Sequence, residues 1–249
     1  MTPVVTIAIG LVALLYAAVG HAGATGYTAV MAIAGLPPEV IRPTSLMLNI
    51  LVATIGTVQF ARAGHFRRGL FLPLAAASVP CAAIGGAARL PTGAFETLLA
   101  AVLRVAAGRI VVEAVGAASG ADGTDVGRPW RSLPPLASLV LGGAIGLLSG
   151  LTGVGGGVFL TPVLLALRVA PVKQVAAVTA PFILVNSAAG LAGWVVVGGR
   201  LPSPGVTALV ATGLGGLVGS QLGAFRLPVR ALRLLMAAVL VVASLKLLG

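Results

Sequence analysis

The sequence predicts an all-α integral membrane protein, an inverted repeat of two five-segment halves with a short or broken second segment in each half. Three observations carry this. Of 249 residues, 58% are hydrophobic and only 8% charged. Ten apolar runs follow one another between Gly, Pro or basic breaks. The two halves also share an ungapped register in which equivalent gaps carry opposite basic bias.

A soluble domain carries about 25% charged residues to keep its surface wet. With a mean hydropathy of +1.11, most of this surface must face lipid. No alternating pattern of barrel strands is visible. The 35 glycines and 16 prolines suit closely approached helices with breaks. The net charge of +11 does not indicate nucleic acid, because Arg and Lys fall in short gaps where they orient helices. A lone Cys81 excludes a disulfide framework. No cofactor or metal is expected. The first run starts at Thr2 with no basic leader or cleavage site, which predicts a permanent helix and not a removed signal.

In the first half the segments fall at 3–19, 22–36, 40–61, 69–88 and 93–116; in the second, at 134–150, 154–168, 172–197, 204–224 and 229–248. The second of each half is short for a span needing about 20 residues. The only extended polar stretch runs from Ala118 to Asp125, followed by Arg128 and Arg131. Residues 1–117 are therefore read as the first membrane repeat, 118–132 as a cytoplasmic linker and 133–249 as the second repeat.

Leu98–Ala106 matches Leu235–Ala243 at seven of nine positions, an offset of 137. That offset also pairs Arg89-Leu90-Pro91 with Arg226-Leu227-Pro228, Asn49 with Asn186, and Gly56 with Gly193. The gap after the third segment holds Arg62, Arg67 and Arg68 in the first half but only Arg200 in the second. After the fourth segment the bias reverses: Arg89 alone against Arg226, Arg230 and Arg233. Basic loops stay inside, so the repeat is inverted, the linker and the Arg168/Lys173 gap are cytoplasmic, and both termini lie outside. Inverted repeats mark secondary transporters working by alternating access, with a mid-membrane substrate site between the repeats. A multi-pass protein of the cell (plasma or inner) membrane is expected.

Gly146–Pro162 carries Gly150, Thr152, Gly153 and the triplet Gly155, Gly156, Gly157. Each glycine costs a helix about 1 kcal/mol relative to alanine, so this reads as a helix break. The short helix after it would aim unsatisfied N–H groups into the bundle, where they bind an anion without a cationic side chain. Gly20–Gly26 is the weaker counterpart, with His21, Gly23 and Thr25. A packing seam is the alternative use of the same glycines.

The Gly150-to-Pro162 pattern, with Leu164-Leu165, Val175–Thr179 and Asn186-Ser187, resembles the TauE/SafE family of sulfite exporters, as does the duplicated organisation. The first half departs from the pattern, with His21, Ala22, Gly23 and Ala24 where the second has its triple glycine. The resemblance implies export of small anions such as sulfite, sulfonates, sulfoacetate or small carboxylates.

Polar side chains on the third segment of each half could serve such an anion. Arg42, Ser45, Asn49 and Gly56 share one helical face, and Thr179, Asn186 and Gly193 repeat it. Interhelical hydrogen bonding is the alternative for the Asn, Ser and Thr residues, and snorkelling to the surface for Arg42. Arg104, inside the fifth segment without an obvious partner, and His21 are candidates for gating or coupling, whereas Arg109 and Glu113 suit a local ion pair. An anion leaving an inside-negative cell gains about 2.3 kcal/mol per charge per 100 mV, which favours export. Import of the same anions, with proton coupling, and a membrane scaffold role are the alternatives. Two distant histidines and sparse carboxylates do not make an enzyme. The expected partners are a small anion and the lipid bilayer; oligomeric state is left open.

Overall fold

The computed structural model describes residues 2–88 and 132–228, with single positions between 91 and 101. Eight α-helices occur among them: α1 Pro3–Ala18, α2 Ala24–Ile33, α3 Pro38–Arg62, α4 Arg68–Ala87, α5 Pro135–Thr152, α6 Gly157–Ala166, α7 Val172–Val196 and α8 Val206–Gln221, which continues as a π-turn, Leu222–Arg226. The fifth and tenth segments, the linker, Arg104, Arg109 and Glu113 lie outside the described residues.

The protein is all-helical among the described residues, and five helices, counting α8 with its π-turn, are long and apolar enough to cross a bilayer. The three shorter apolar helices are α1, α2 and α6. Local chemistry sets the ends. Thr2 caps α1, its hydroxyl accepting from the Val5 amide (3.5 Å), with Pro3 in the first turn. α3 has Glu39 in its first turn and Arg62 in its last, both matched to the helix dipole. α2 and α6 each have ten residues and follow a glycine N-cap with positive φ, Gly23 at 100° and Gly156 at 80°. Glycine is required there because a side chain would strain the left-handed backbone.

α3 and α7 form the spine and run antiparallel. Phe60 clusters with Ala176 and Ala177, Gly56 lies beside Ala180, Asn49 meets Ser187, and Arg42 lies over Trp194. On either side sits a parallel helix pair held by glycines. Gly142, Gly146 and Gly150 of α5 face the carbonyls of Leu74, Ser78 and Ala82 on α4. Gly215 and Gly219 of α8, with Gly223 of the π-turn, face those of Gly10, Leu14 and Ala18 on α1. At each, a Cβ would fall well inside the van der Waals contact distance of the carbonyl oxygen. Such four-residue spacing of small residues lets membrane helices pack backbone to backbone.

Two apolar clusters fill the remainder. One joins α1, α2, α3 and α7 through Ile9, Tyr27, Met31, Leu48, Val52 and Ile183. The other joins α4 to α7 through Leu74, Ile145, Leu160, Leu164, Val178 and Phe182. The α3–α4 loop and the α6–α7 gap lie at one end of the bundle, where Arg67 reaches Val169 O and Gln174 Oε1, both at 3.5 Å. Partial burial and the charge of Lys173 hold His65, in that loop, below the ordinary histidine pKa.

Glycines of α5 on and off the seam should separate. Gly146→Ala forces α4 away and lowers stability by about 1–3 kcal/mol. Gly143, whose Cβ would meet only Cys81 Sγ at 3.5 Å and Ala77 Cβ at 3.7 Å, tolerates alanine and gains up to about 1 kcal/mol of helix propensity. Thermal unfolding of the two purified variants in detergent checks this; equal melting temperatures would refute the seam.

Candidate functional site: two helix breaks meet at the bundle centre

The chain leaves α1 at Val19, turns through Gly20, His21, Ala22 and Gly23, and restarts as α2; it leaves α5 at Gly153, turns through Val154, Gly155 and Gly156, and restarts as α6. The breaks touch. His21, buried, places Nε2 3.1 Å from Gly157 O and Nδ1 3.3 Å from Val19 O. Its ring stands edge-on to Tyr16 at 6.5 Å.

In the second break, the amides of Gly155, Gly156, Gly157 and Val158 have no acceptor among the described residues. The first intrahelical bonds come from Phe159 and Leu160, both to Gly156 O. In the first break the amides of Ala24, Thr25 and Gly26 are likewise free, with Tyr27 the first to bond back, to Gly23 O. Two helix N-termini, each carrying about half a positive charge, therefore open into the bundle.

Side chains of α3, α5 and α7 line the second break. A Cβ on Gly155 would strike Asn49 Nδ2, Ile183 and Ser187 Oγ. One on Gly156 would meet Ile145, Phe182 and Ser149, and one on Gly157, Ile183 and Thr179. Among the described residues four buried side-chain oxygens have no partner: Thr44 Oγ1, Ser45 Oγ, Asn49 Oδ1 and Ser149 Oγ. Buried polar atoms rarely go unpaired, and two of these residues, Asn49 and Ser149, stand against Gly155 and Gly156, which marks a place for a polar guest or water.

The sequence-derived candidates divide into open and engaged groups. Asn49 donates to Ser187 Oγ at 3.3 Å and keeps its oxygen free; Ser45 is free on the same face. Asn186 is engaged on both sides, accepting from Ser78 at 2.5 Å and donating to Phe182 O at 2.8 Å. The residue opposite Asn49 is thus Ser187, and Asn186 turns toward α4. Thr179 pairs with Thr161 at 3.0 Å, Thr152 donates to Leu148 O at 2.7 Å, and Thr25 donates to Tyr16 Oη at 3.0 Å.

Arg42 does not snorkel. It is 3% exposed and its guanidinium donates to Gly150 O from Nε and Nη2, to Ala88 O from Nη1, and to Gly85 O and Gly86 O from Nη2. Its Cζ lies 5.3 Å from the centre of the Trp194 ring. Only its stem touches the break, against Gly153. Ser149, Ser187, Ser78 and Thr161 were not singled out by residue type, because a hydroxyl in an apolar helix looks the same whether bonded or free. Among the described residues no His, Cys, Asp or Glu cluster could hold a metal ion.

Comparison with known proteins agrees with this architecture. The family model described as Sulfite exporter TauE/SafE matches residues 5–247. "Probable membrane transporter protein y4hK" of Sinorhizobium fredii (strain NBRC 101917 / NGR234) is 39% identical over 243 residues, covering 97% of this chain and 96% of the relative. No solved structure matches. A multi-pass helical membrane protein that follows this family model along nearly its whole length is a member of it: the chain belongs to the Sulfite exporter TauE/SafE family of membrane transporters.

Proposed function

We propose that the protein exports small sulfur-containing or related organic anions by alternating access, and that the anion rests where the two breaks meet. The observation that carries this is the set of free amides at Gly155–Val158 beside Asn49 and Ser149, each with an unpartnered oxygen. Free amides at a helix N-terminus bind oxyanions, and freely rotating hydroxyls donate to the same oxygens. Gly155, Gly156 and Gly157 bring these amides close to the lining side chains, since a Cβ at any of them would collide with those side chains. Gly153 sets the turn before them, and Gly23 with Thr25 faces the first break.

Support for an inverted repeat comes from how the helices pair. α4 packs in parallel on α5, and α8 in parallel on α1, while the antiparallel α3 and α7 run between them. Exchanging the halves exchanges these pairs. The family description favours sulfite-like cargo and outward transport. The membrane potential then drives a monoanion out by about 2.3 kcal/mol per 100 mV without a coupling ion.

The linker and the α7–α8 turn should lie on opposite sides of the membrane. In a Cys81→Ala background, single cysteines at Ala121 and Ser203 are expected to react with an impermeant maleimide from inside and outside respectively. Same-side reaction would remove the inverted topology.

Ser45→Ala and Ser149→Ala test the cradle directly. Neither hydroxyl has a protein partner, so neither change costs a protein hydrogen bond and thermal stability holds. Affinity for methanesulfonate, measured by calorimetry, should fall roughly 10- to 150-fold for each lost bond to the anion. Unchanged affinity in both variants would sink the cradle.

The asparagines should differ. Asn49→Ala weakens the anion by a similar factor with a small stability cost. Asn186→Ala strands the Ser78 hydroxyl and costs about 1–3 kcal/mol of stability. Paired affinity and melting measurements on both variants decide this; equal effects of the two would contradict it.

A further inference from the structure

We propose a second anion site at the other end of the spine, a vestibule between the start of α3 and the turn after α7, that takes a sulfonate-type anion bearing a short carbon chain. It rests on the anion-carrier reading above and extends it to a second station on the same path.

A cavity of about 750 Å³ opens there, lined among others by Pro38, Glu39, Arg42, Trp194, Arg200 and Leu201. A single inorganic oxyanion would fill a small part of it. Two guanidiniums against one carboxylate give the wall a net positive charge. The apolar surfaces of Val40, Val197, Leu201 and Pro202 suit a hydrocarbon segment. Head and tail of a small organic sulfonate therefore both find matching chemistry.

The wall is built rather than incidental. Trp194 Nε1 donates to Arg200 O at 3.0 Å, pinning the turn that carries Arg200. Gly199 lies against the indole so closely that any Cβ would collide with it. Arg42 stacks on the same ring from the bundle side. Its Nε, both Nη2 hydrogens and one Nη1 hydrogen are taken by backbone carbonyls, so it supplies field more than contacts. Arg200 is exposed, and its guanidinium is the donor for the anionic head.

The site is distinct from the cradle. Arg42 and Asn49 are seven residues apart on one face of α3, about 10 Å along the axis. Two stations at that spacing let an ion leave the deep site for a shallow one, which keeps binding from becoming a trap.

Trp194 reports on the vestibule. The chain has two tryptophans, so Trp130→Phe leaves Trp194 as the sole fluorophore. Ethanesulfonate, titrated at constant ionic strength against chloride, should give a saturable change in its emission. Arg200→Gln is expected to raise the midpoint at least tenfold, and Glu39→Gln to lower it by removing a repelling carboxylate. The Ser45→Ala/Ser149→Ala double variant, with its cradle weakened, should keep the Trp194 midpoint. No saturable change, or a midpoint indifferent to Arg200→Gln, overturns the vestibule. Loss of the response in the cradle variant overturns it too, because the signal then belongs to the deep site. Failure of the carrier reading is seen separately, as no efflux of methanesulfonate from proteoliposomes holding the unmodified protein, whatever Trp194 reports.

Discussion

A buried guanidinium with no carboxylate partner among the described residues organises this bundle. Moving a cation into the apolar core of a membrane protein is costly unless its field and its donors are met. Arg42 meets both requirements through backbone alone. It donates to the last-turn carbonyls of α4, at Gly85, Gly86 and the capping Ala88, and to Gly150 in the last turn of α5. Those carbonyls are the negative ends of two helix dipoles, and they would otherwise go unsatisfied where lipid offers no water. Much else follows. The two helices must end together, so they run parallel. Gly85, Gly86 and Gly150 must lack side chains, because backbone of the neighbouring helix or of α7 occupies the space. α3 must stay in place, and Trp194 on the far side of the guanidinium holds it to α7.

The breaks show the opposite use of the same constraint. Where helix ends near Arg42 are satisfied, the starts of α2 and α6 are left open. Neither start has a side-chain cap, since Gly23 and Gly156 have nothing to offer. A serine or aspartate would be strained at the positive φ of either place, so no side-chain cap forms. Its absence leaves donors for a guest. Beside the second break Ser149 Oγ and Asn49 Oδ1 are also left without partners, while nearby hydroxyls such as Thr152 on Leu148 O are engaged. Unsatisfied groups of both kinds gather in one place, which random imperfection of packing would not produce.

Much of the fold was legible in the sequence. The eight described helices fall on the expected apolar runs to within a few residues, and both short second segments begin at glycine breaks. Apolar length and glycine density survive any packing arrangement, so they read directly. Arg42 did not read correctly, because its partners are carbonyls and every residue has one. The offset that pairs Asn49 with Asn186 suggested equal roles, yet Asn186 meets Ser78 of α4 while Asn49 meets Ser187 of α7. Sequence repeats register positions, whereas hydrogen bonds depend on which neighbouring helix carries a hydroxyl at that depth. Ser149 stood in the glycine stretch without being marked. Whether its oxygen is bonded is a property of the packed state only.

The electrostatics of the proposed path then follow from where charge is fixed and where it is only dipolar. At the end of the spine where α3 stops, Arg62, Arg67 and Arg68 lie near the gap that carries Arg168 and Lys173, and they present a basic mouth to an arriving anion. The proposed cradle offers amides and hydroxyls in place of cationic side chains. Its grip therefore comes from partial charges, strong enough to replace hydration but weaker than a full ion pair, so an anion held there can leave. At the other end Arg42 and Arg200 outweigh Glu39 and draw it onward. Both mouths attract, so neither sets direction by itself; for a monoanion that role falls to the membrane potential. For the proposed alternating access the contacts between halves must shift, and one of them lies at the centre, where His21 of the first break meets Gly157 O of the second. That bond is buried and spans the two breaks. Any relative shift of the halves must break it or carry both breaks along with it, which makes it the point where a change in occupancy of the cradle can be felt by both halves at once.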